Sequence, residues 1–188
     1  MKKQLCIAPI LVSIIVIYQS QLEARAQIQT AISAQVENTL IKMTSPKEPV
    51  EITKLQIGNN DIAFGKTFTA DEDWLRTFSC EVKNISGKAI SELYMNIGFA
   101  TADTKPGRVK VPLTYAESFQ ANQTIHLSIP PAKVASLLEA LAKRGALANI
   151  RKGEFLVEYA KFQDGTIWLQ GETLGRRDPK TGKRKRIP

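Results

Sequence analysis

Cysteine and histidine are scarce in this chain of 188 residues: two cysteines, Cys6 and Cys80, and one histidine, His126. A metal centre built from several thiolate or imidazole ligands is excluded by that count. A serine–histidine–acid site would have to be assembled around His126, and no Gly-x-Ser-x-Gly elbow is present. His126 sits between Ile125 and Leu127, so strand alternation turns it away from the face they share and toward solvent. Glycines such as Gly145, Gly153, Gly165, Gly171 and Gly175 are isolated, so no glycine-rich loop exists to cradle phosphate. Asp71, Glu72 and Asp73 lack the spacing of a calcium loop and read as a solvated acidic turn. No cofactor and no catalytic constellation is expected.

Long hydrophobic runs are also missing, with one exception at the N-terminus. Lys2 and Lys3 precede the apolar run Cys6–Tyr18, and Ala24-Arg25-Ala26 follows with the small-x-small pattern of a signal-peptidase site. The run is about 13 residues, short of the roughly 20 that a spanning helix needs. Residues 1–26 therefore read as a signal peptide cut between Ala26 and Gln27, and the mature chain is expected to be exported, either periplasmic or secreted. Cys6 leaves with the signal, so the mature domain has no disulfide partner for Cys80 and must rest on its apolar core. Cys80 lies in the alternating run Phe78-Ser79-Cys80-Glu81-Val82 and is expected to be a small buried apolar residue.

The formal charge of +8 is confined to the two ends. Lys2, Lys3 and Arg25 against Glu23, and seven basic residues against Asp178 from Arg176 onward, account for all of it. Residues 27–175 are neutral, so the basic character belongs to a tail and not to a domain surface. That tail, residues 175–188, has no apolar periodicity and is expected to be disordered. Its cations Arg176, Arg177, Lys183, Arg184, Lys185 and Arg186 are candidates for contact with an anionic lipid or an acidic polymer. No aromatics interleave with them, so nucleic acid is not expected.

Between the ends the pattern is one of short strands. Ile28, Ile32, Val36 and Leu40 stand four apart and predict a leader helix, followed by a flexible joint at Thr44–Pro49, over residues 27–49. Residues 50–174 form the domain. Val50–Ile57, Ile62–Phe68, Arg76–Ile85, Ala89–Thr101, Val109–Tyr115, Thr124–Ile129, Glu154–Gln163 and Thr166–Gly171 read as strands. Ser86-Gly87-Lys88 is read as the turn of a hairpin, and Asp164-Gly165 as that of another. Pro112 marks Val109–Tyr115 as an edge strand. Val134, Leu137, Leu138 and Leu141 follow helical spacing, which predicts a helix over about 132–146. The expected architecture is mainly β: an antiparallel immunoglobulin-like sandwich of about seven or eight strands with one inserted helix, with a small barrel under a helical lid as the alternative.

The stretch Val82-Lys83-Asn84-Ile85-Ser86-Gly87-Lys88-Ala89-Ile90 resembles the hairpin of exported bacterial Ig-like modules of the FxLYD type. Asp73-Trp74-Leu75-Arg76, Pro112-Leu113-Thr114-Tyr115, Phe162 with Asp164-Gly165-Thr166 and Trp168, Gly171, and Arg176-Arg177-Asp178-Pro179 resemble a wider group of uncharacterised secreted bacterial proteins. The resemblance implies a sandwich fold and an envelope or secreted location. It brings no catalytic residue.

The functional expectation is a non-enzymatic binding module of the bacterial envelope, facing a protein or an acidic envelope component. A carboxylate-dependent envelope hydrolase and a structural accessory subunit of an envelope complex are the alternatives. Trp74, at a junction between loop and strand, is the candidate exposed aromatic contact, whereas Trp168 between Ile167 and Leu169 reads as packing.

Overall fold

The computed structural model describes residues 35–100, 108–143 and 150–187. The signal segment with its Ala26–Gln27 site lies outside them, as do residues 144–146 of the expected helix. Among the described residues the chain is mainly β, with two sheets and a single α-helix.

The smaller sheet joins β2 (Val50–Ile57), β3 (Asn60–Ile62), β5 (Phe78–Asn84) and β8 (Thr124–Ser128) in the antiparallel order β3-β2-β5-β8. The larger is built around β9 (Lys152–Phe162). Along one edge β9 pairs antiparallel with β6 (Ile90–Ala100), which pairs in turn with β7 (Arg108–Tyr115). Along the other edge its first half pairs in parallel with β1 (Val36–Met43), and its last residues pair antiparallel with β10 (Ile167–Leu169). Beyond β1 lies β4 (Thr67–Ala70); beyond β10 lie β11 (Glu172–Leu174) and β12 (Arg186–Ile187).

Alternation decides which side chains meet between the sheets. Phe78, Cys80 and Val82 on β5, Ile125 and Leu127 on β8, and Leu93, Met95, Ile97 and Phe99 on β6 are all buried, as their spacing of two requires. Cys80 is packed in the core, and burial pushes its thiol up to about 12, which keeps it protonated and unreactive. The helix α1 (Pro131–Lys143) buries Val134, Leu137 and Leu141. Pro131 at its first position gives up no intrahelical bond. The Asp164-Gly165 hairpin forms between β9 and β10, with Gly165 at φ 81°.

Four expectations are corrected. The helix predicted through Val36 and Leu40 is strand β1 over residues 36–43. A spacing of four is also a multiple of two, so the same residues share one face of a strand, and pairing with β4 and β9 settles the outcome. The compact unit accordingly begins at Gln35, before the expected boundary at Val50. Thr44–Pro49 is a packed loop instead of a flexible joint: Lys42 pairs with Glu48 at 2.6 Å, and the Pro46 carbonyl accepts from Trp168 Nε1 at 3.1 Å.

The third correction is that Val82–Ile90 is not a hairpin. β5 and β6 belong to different sheets, and residues 85–89 carry the chain from one to the other. Asn84 anchors that passage. It is fully buried, its Nδ2 donates to the carbonyls of Lys88, Phe119 and Gln120, and its Oδ1 accepts from Ser86.

The fourth concerns residues 175–188, expected to be disordered. Residues 175–187 fold back as a hairpin whose end, β12, pairs with β11. Arg184 Nη1 donates to the carbonyls of Gly165 and Gly175 at 2.8 and 2.7 Å, Arg176 donates to the carbonyl of Asp164, and Arg186 pairs with Glu172. Asp178 accepts from the backbone of Lys180 and Thr181 and shapes the turn. The segment lacks an apolar face but is held by guanidinium–carbonyl bonds, which no hydropathy pattern reveals.

Two outcomes test this arrangement. A Cβ at Gly153 would come within 2.9–3.1 Å of Leu40, Ile97 and Phe99, all core side chains. Gly153→Val is therefore expected to lower unfolding stability by about 1–3 kcal/mol in urea, as overpacking does; an unchanged midpoint would show that this packing is wrong. Arg184→Ala should expose residues 176–187 to trypsin while the rest of the chain stays resistant. Equal cleavage rates in both proteins would mean that Arg184 does not hold the hairpin.

Acid adds a third outcome. Asp164 is held well below the usual carboxylate range by its hydrogen bond from Lys88, then by those from Thr166. Its folded value is the lower one, so its contribution is present above the unfolded value of 3.8 and is lost as pH falls below it. The Lys88–Asp164 pair is half exposed, so the effect is at most about 1 kcal/mol. Asp164→Asn should flatten the acid limb of the stability curve below pH ~4, and a limb as steep as that of the parent chain would remove this assignment.

Candidate functional site

Trp74 is not the exposed contact its position suggests. It opens a 3-10 turn (Trp74–Arg76) and is 1 % exposed. Its ring meets Phe68, Phe78 and Phe99 edge-on, with centroids 5.4, 5.9 and 6.3 Å away. The reason is geometric: the turn closes one end of the sandwich, so a large apolar ring there is drawn between the sheets. Its indole Nε1 finds no hydrogen-bond partner. A cavity of about 660 Å³ lies beside it, lined among others by Asn59, Asn60, Asp61, Asp71 and Asp73. Asp73 is paired with Arg76 and Asp61 with Lys54 and Gln56, so that acidic rim is largely committed to structure. Trp168 is buried and packed, as its strand position indicates.

The candidate tail cations do not form one patch. Arg176, Arg184 and Arg186 bind within the protein, whereas Arg177, Lys183 and Lys185 stay exposed. His126 is exposed on β8, opposite Glu81 of β5.

Two other places bring chemistry together. The first is the edge of β7. Among the described strands β7 pairs with β6 alone, as Pro112 predicts. Pro112 stands opposite Asn96. Proline has no N–H to give β6, so this pair is the non-bonded kind, and Lys110, two residues away, shares its orientation. The carbonyls of Lys110 and Pro112 and the N–H of Lys110 therefore face the open edge. They face a groove of about 440 Å³ between β7 and α1, whose walls include Val111, Pro112, Ala132, Lys133, Ser136 and Leu137.

The second is a hollow on the outer face of the larger sheet. Gly98 on β6 stands between Lys110 of β7 and Glu154 of β9. Having no side chain, it leaves a gap in an otherwise covered face. The resulting cavity, about 340 Å³, is lined by Met43, Asn96, Gly98, Lys110, Glu154, Leu156, Glu158 and Gln170. Lys110 Nζ donates to Glu158 Oε1, and because β6 lies between β7 and β9, the bridge must cross β6. The register places that crossing at Asn96, which is 2 % exposed although it points away from the core. The Asn96 Nδ2 has no hydrogen-bond partner.

Strand irregularities shape this hollow. The β6–β9 register shifts between Tyr94 and Met95, which sets Glu158 in a bulge with Tyr159 on the outer face. Gln170, at φ 44°, opens the tight turn into β11, and its N–H donates to the Glu158 carbonyl at 3.1 Å. Tyr94 and Tyr159 pair across the strands beside the cavity. Burial, and next the charge of Glu92, raise the phenol of Tyr159 above its ordinary value. Ile41, Met43 and Leu169 are exposed apolar side chains on strands of this sheet. Sequence reasoning missed the hollow because its members come from five separate segments. A glycine within a long strand was the one signal available.

Among the described residues no helix is long and apolar enough to cross a membrane. Comparison of the chain with protein-family models, with curated proteins and with solved structures gives no match.

Proposed function

We propose that this chain is an exported, non-enzymatic binding module of the bacterial envelope, of immunoglobulin-like build with a passage between sheets at residues 85–89, and that it takes an extended segment of a partner protein along the edge of β7. One observation carries the reading: among the described strands β7 is paired on one side only, and its other edge opens on the groove beside α1. An added strand gains main-chain hydrogen bonds from the edge and selectivity from the groove. Pro112 limits the edge to a short stretch around Lys110, which guards against indiscriminate strand pairing. Lys133 at the groove favours a segment with acidic side chains. The exposed Arg177, Lys183 and Lys185 supply a second, weaker contact to anionic lipid or polymer, each adding about 1 kcal/mol at most near such a surface.

A hydrolytic reading has one observation in its favour, that Glu154 and Glu158 line the same hollow. It requires turnover of an envelope polymer that Glu158→Gln abolishes; the binding reading expects no turnover by either protein.

In-cell cross-linking and capture with the full-length chain tests the edge. Ser136 is exposed on α1 and lines the groove, so Ser136→Trp fills it from a position that tolerates the change. The partner is expected to be captured by the parent chain and by a variant ending at Gly175, and lost with Ser136→Trp. Capture that survives Ser136→Trp, but fails in the truncated chain and falls with added salt, would move the contact to the C-terminal hairpin and end the edge reading.

A further inference from the structure

We propose that the hollow over Gly98, on the outer face of the larger sheet, binds a saccharide unit. This goes beyond the edge reading and does not depend on it.

The lining has the composition that ring hydroxyls require. Asn96 offers a buried donor without a partner, and such a group is destabilising until something accepts its hydrogen bond. Glu154 and Glu158 bring carboxylate oxygens, which accept from O–H groups. Lys110 and the Gln170 amide add donors. Met43 and Leu156 provide an apolar wall for the C–H face of a ring, and the Tyr94–Tyr159 pair stands beside the cavity. The volume, about 340 Å³, is at the lower end of the roughly 300–1,000 Å³ usual for small-ligand sites.

Other ligand classes fit less well. Two glutamates against one lysine give the lining a net negative charge, which disfavours phosphates and carboxylates. Lys110 Nζ, held at Glu158, disfavours a cation. The hollow lies on a sheet face and not on an edge, so it offers an extended peptide no backbone ladder. A polyhydroxylated ring matches the mixture of donors and acceptors and replaces solvent hydrogen bonds one for one.

The construction argues for a prepared site. The position opposite both Lys110 and Glu154 is the one residue type that leaves room. The bulge at Glu158 and the positive φ of Gln170 both aim side chains away from regular strand directions at the same cavity.

The test is a titration of the full mature chain by ¹⁵N NMR, followed through the side-chain amides of Asn96 and Gln170, the latter reporting in every variant. Glucose and N-acetylglucosamine are the saccharide probes, and putrescine is the cation probe. Either saccharide is expected to shift the Asn96 amide. Gly98→Val, which fills the hollow, is expected to abolish saccharide binding. Asn96→Leu keeps the volume and removes the orphaned donor, so the fold persists whatever happens to Gly98→Val, and affinity should fall about threefold to tenfold, the worth of one neutral hydrogen bond. A response to putrescine alone would overturn the saccharide assignment. So would no shift with any probe, or saccharide binding that Asn96→Leu leaves unchanged.

Discussion

Strand β9 is the constraint on which the larger sheet depends. One of its edges is occupied by β6 along nearly its full length. The other is divided between β1, running parallel, and β10, running antiparallel. A strand with two different neighbours in succession on one edge must change its local geometry where they meet. The bulge at Glu158 falls between the last β1 partner, Leu156, and the first β10 partner, Tyr159. The same irregularity that lets the sheet change neighbours also places a carboxylate over the outer face. Gly153, near the start of β9, is fixed by an opposite demand: its inner face lies against Leu40, Ile97 and Phe99, and only a hydrogen fits.

The two faces of the larger sheet are organised by different physics. The inner face is dry and aromatic, with Phe155 meeting Phe64 and Phe78 and the Trp74 ring closing one end. The outer face carries ion pairs that run between strands, Lys110 to Glu158 and Lys161 to Glu92. Pairs of this kind add little to stability where water reaches them. Their effect here is positional: the first spans β6 at the lining of the hollow and the second holds Lys161 beside Tyr159.

What the sequence revealed follows from how each feature is encoded. Period-two alternation in Phe78–Val82 and Leu93–Phe99 is local, and it identified the core faces directly. Pro112 identified an edge because a missing N–H is a property of one residue. The Asp164-Gly165 turn was legible for the same reason. Val36 and Leu40 misled because their spacing satisfies a helix and a strand alike, and the deciding partner, β9, is far away in the chain. Asn84 misled because a turn between paired strands and a passage between sheets use the same residues; only its bonds to Phe119 and Gln120 separate them. Trp74 and the arginines of the C-terminal hairpin depended on contacts from elsewhere. The hollow over Gly98 was the least legible feature, since it is an absence of atoms shared among β1, β6, β7, β9 and the turn after β10.

The parallel pairing of β1 with β9 has a consequence for the order of events in folding. The β4 partner of β1 is near in sequence, but the other edge of β1 has no partner until most of the chain exists, because β9 starts only at Lys152. Such long-range closure is entropically costly and slow. During synthesis the first strand is a half-finished sheet with an exposed edge, the condition in which chains stick to one another. A chain wired this way gains from being kept unfolded until it is complete.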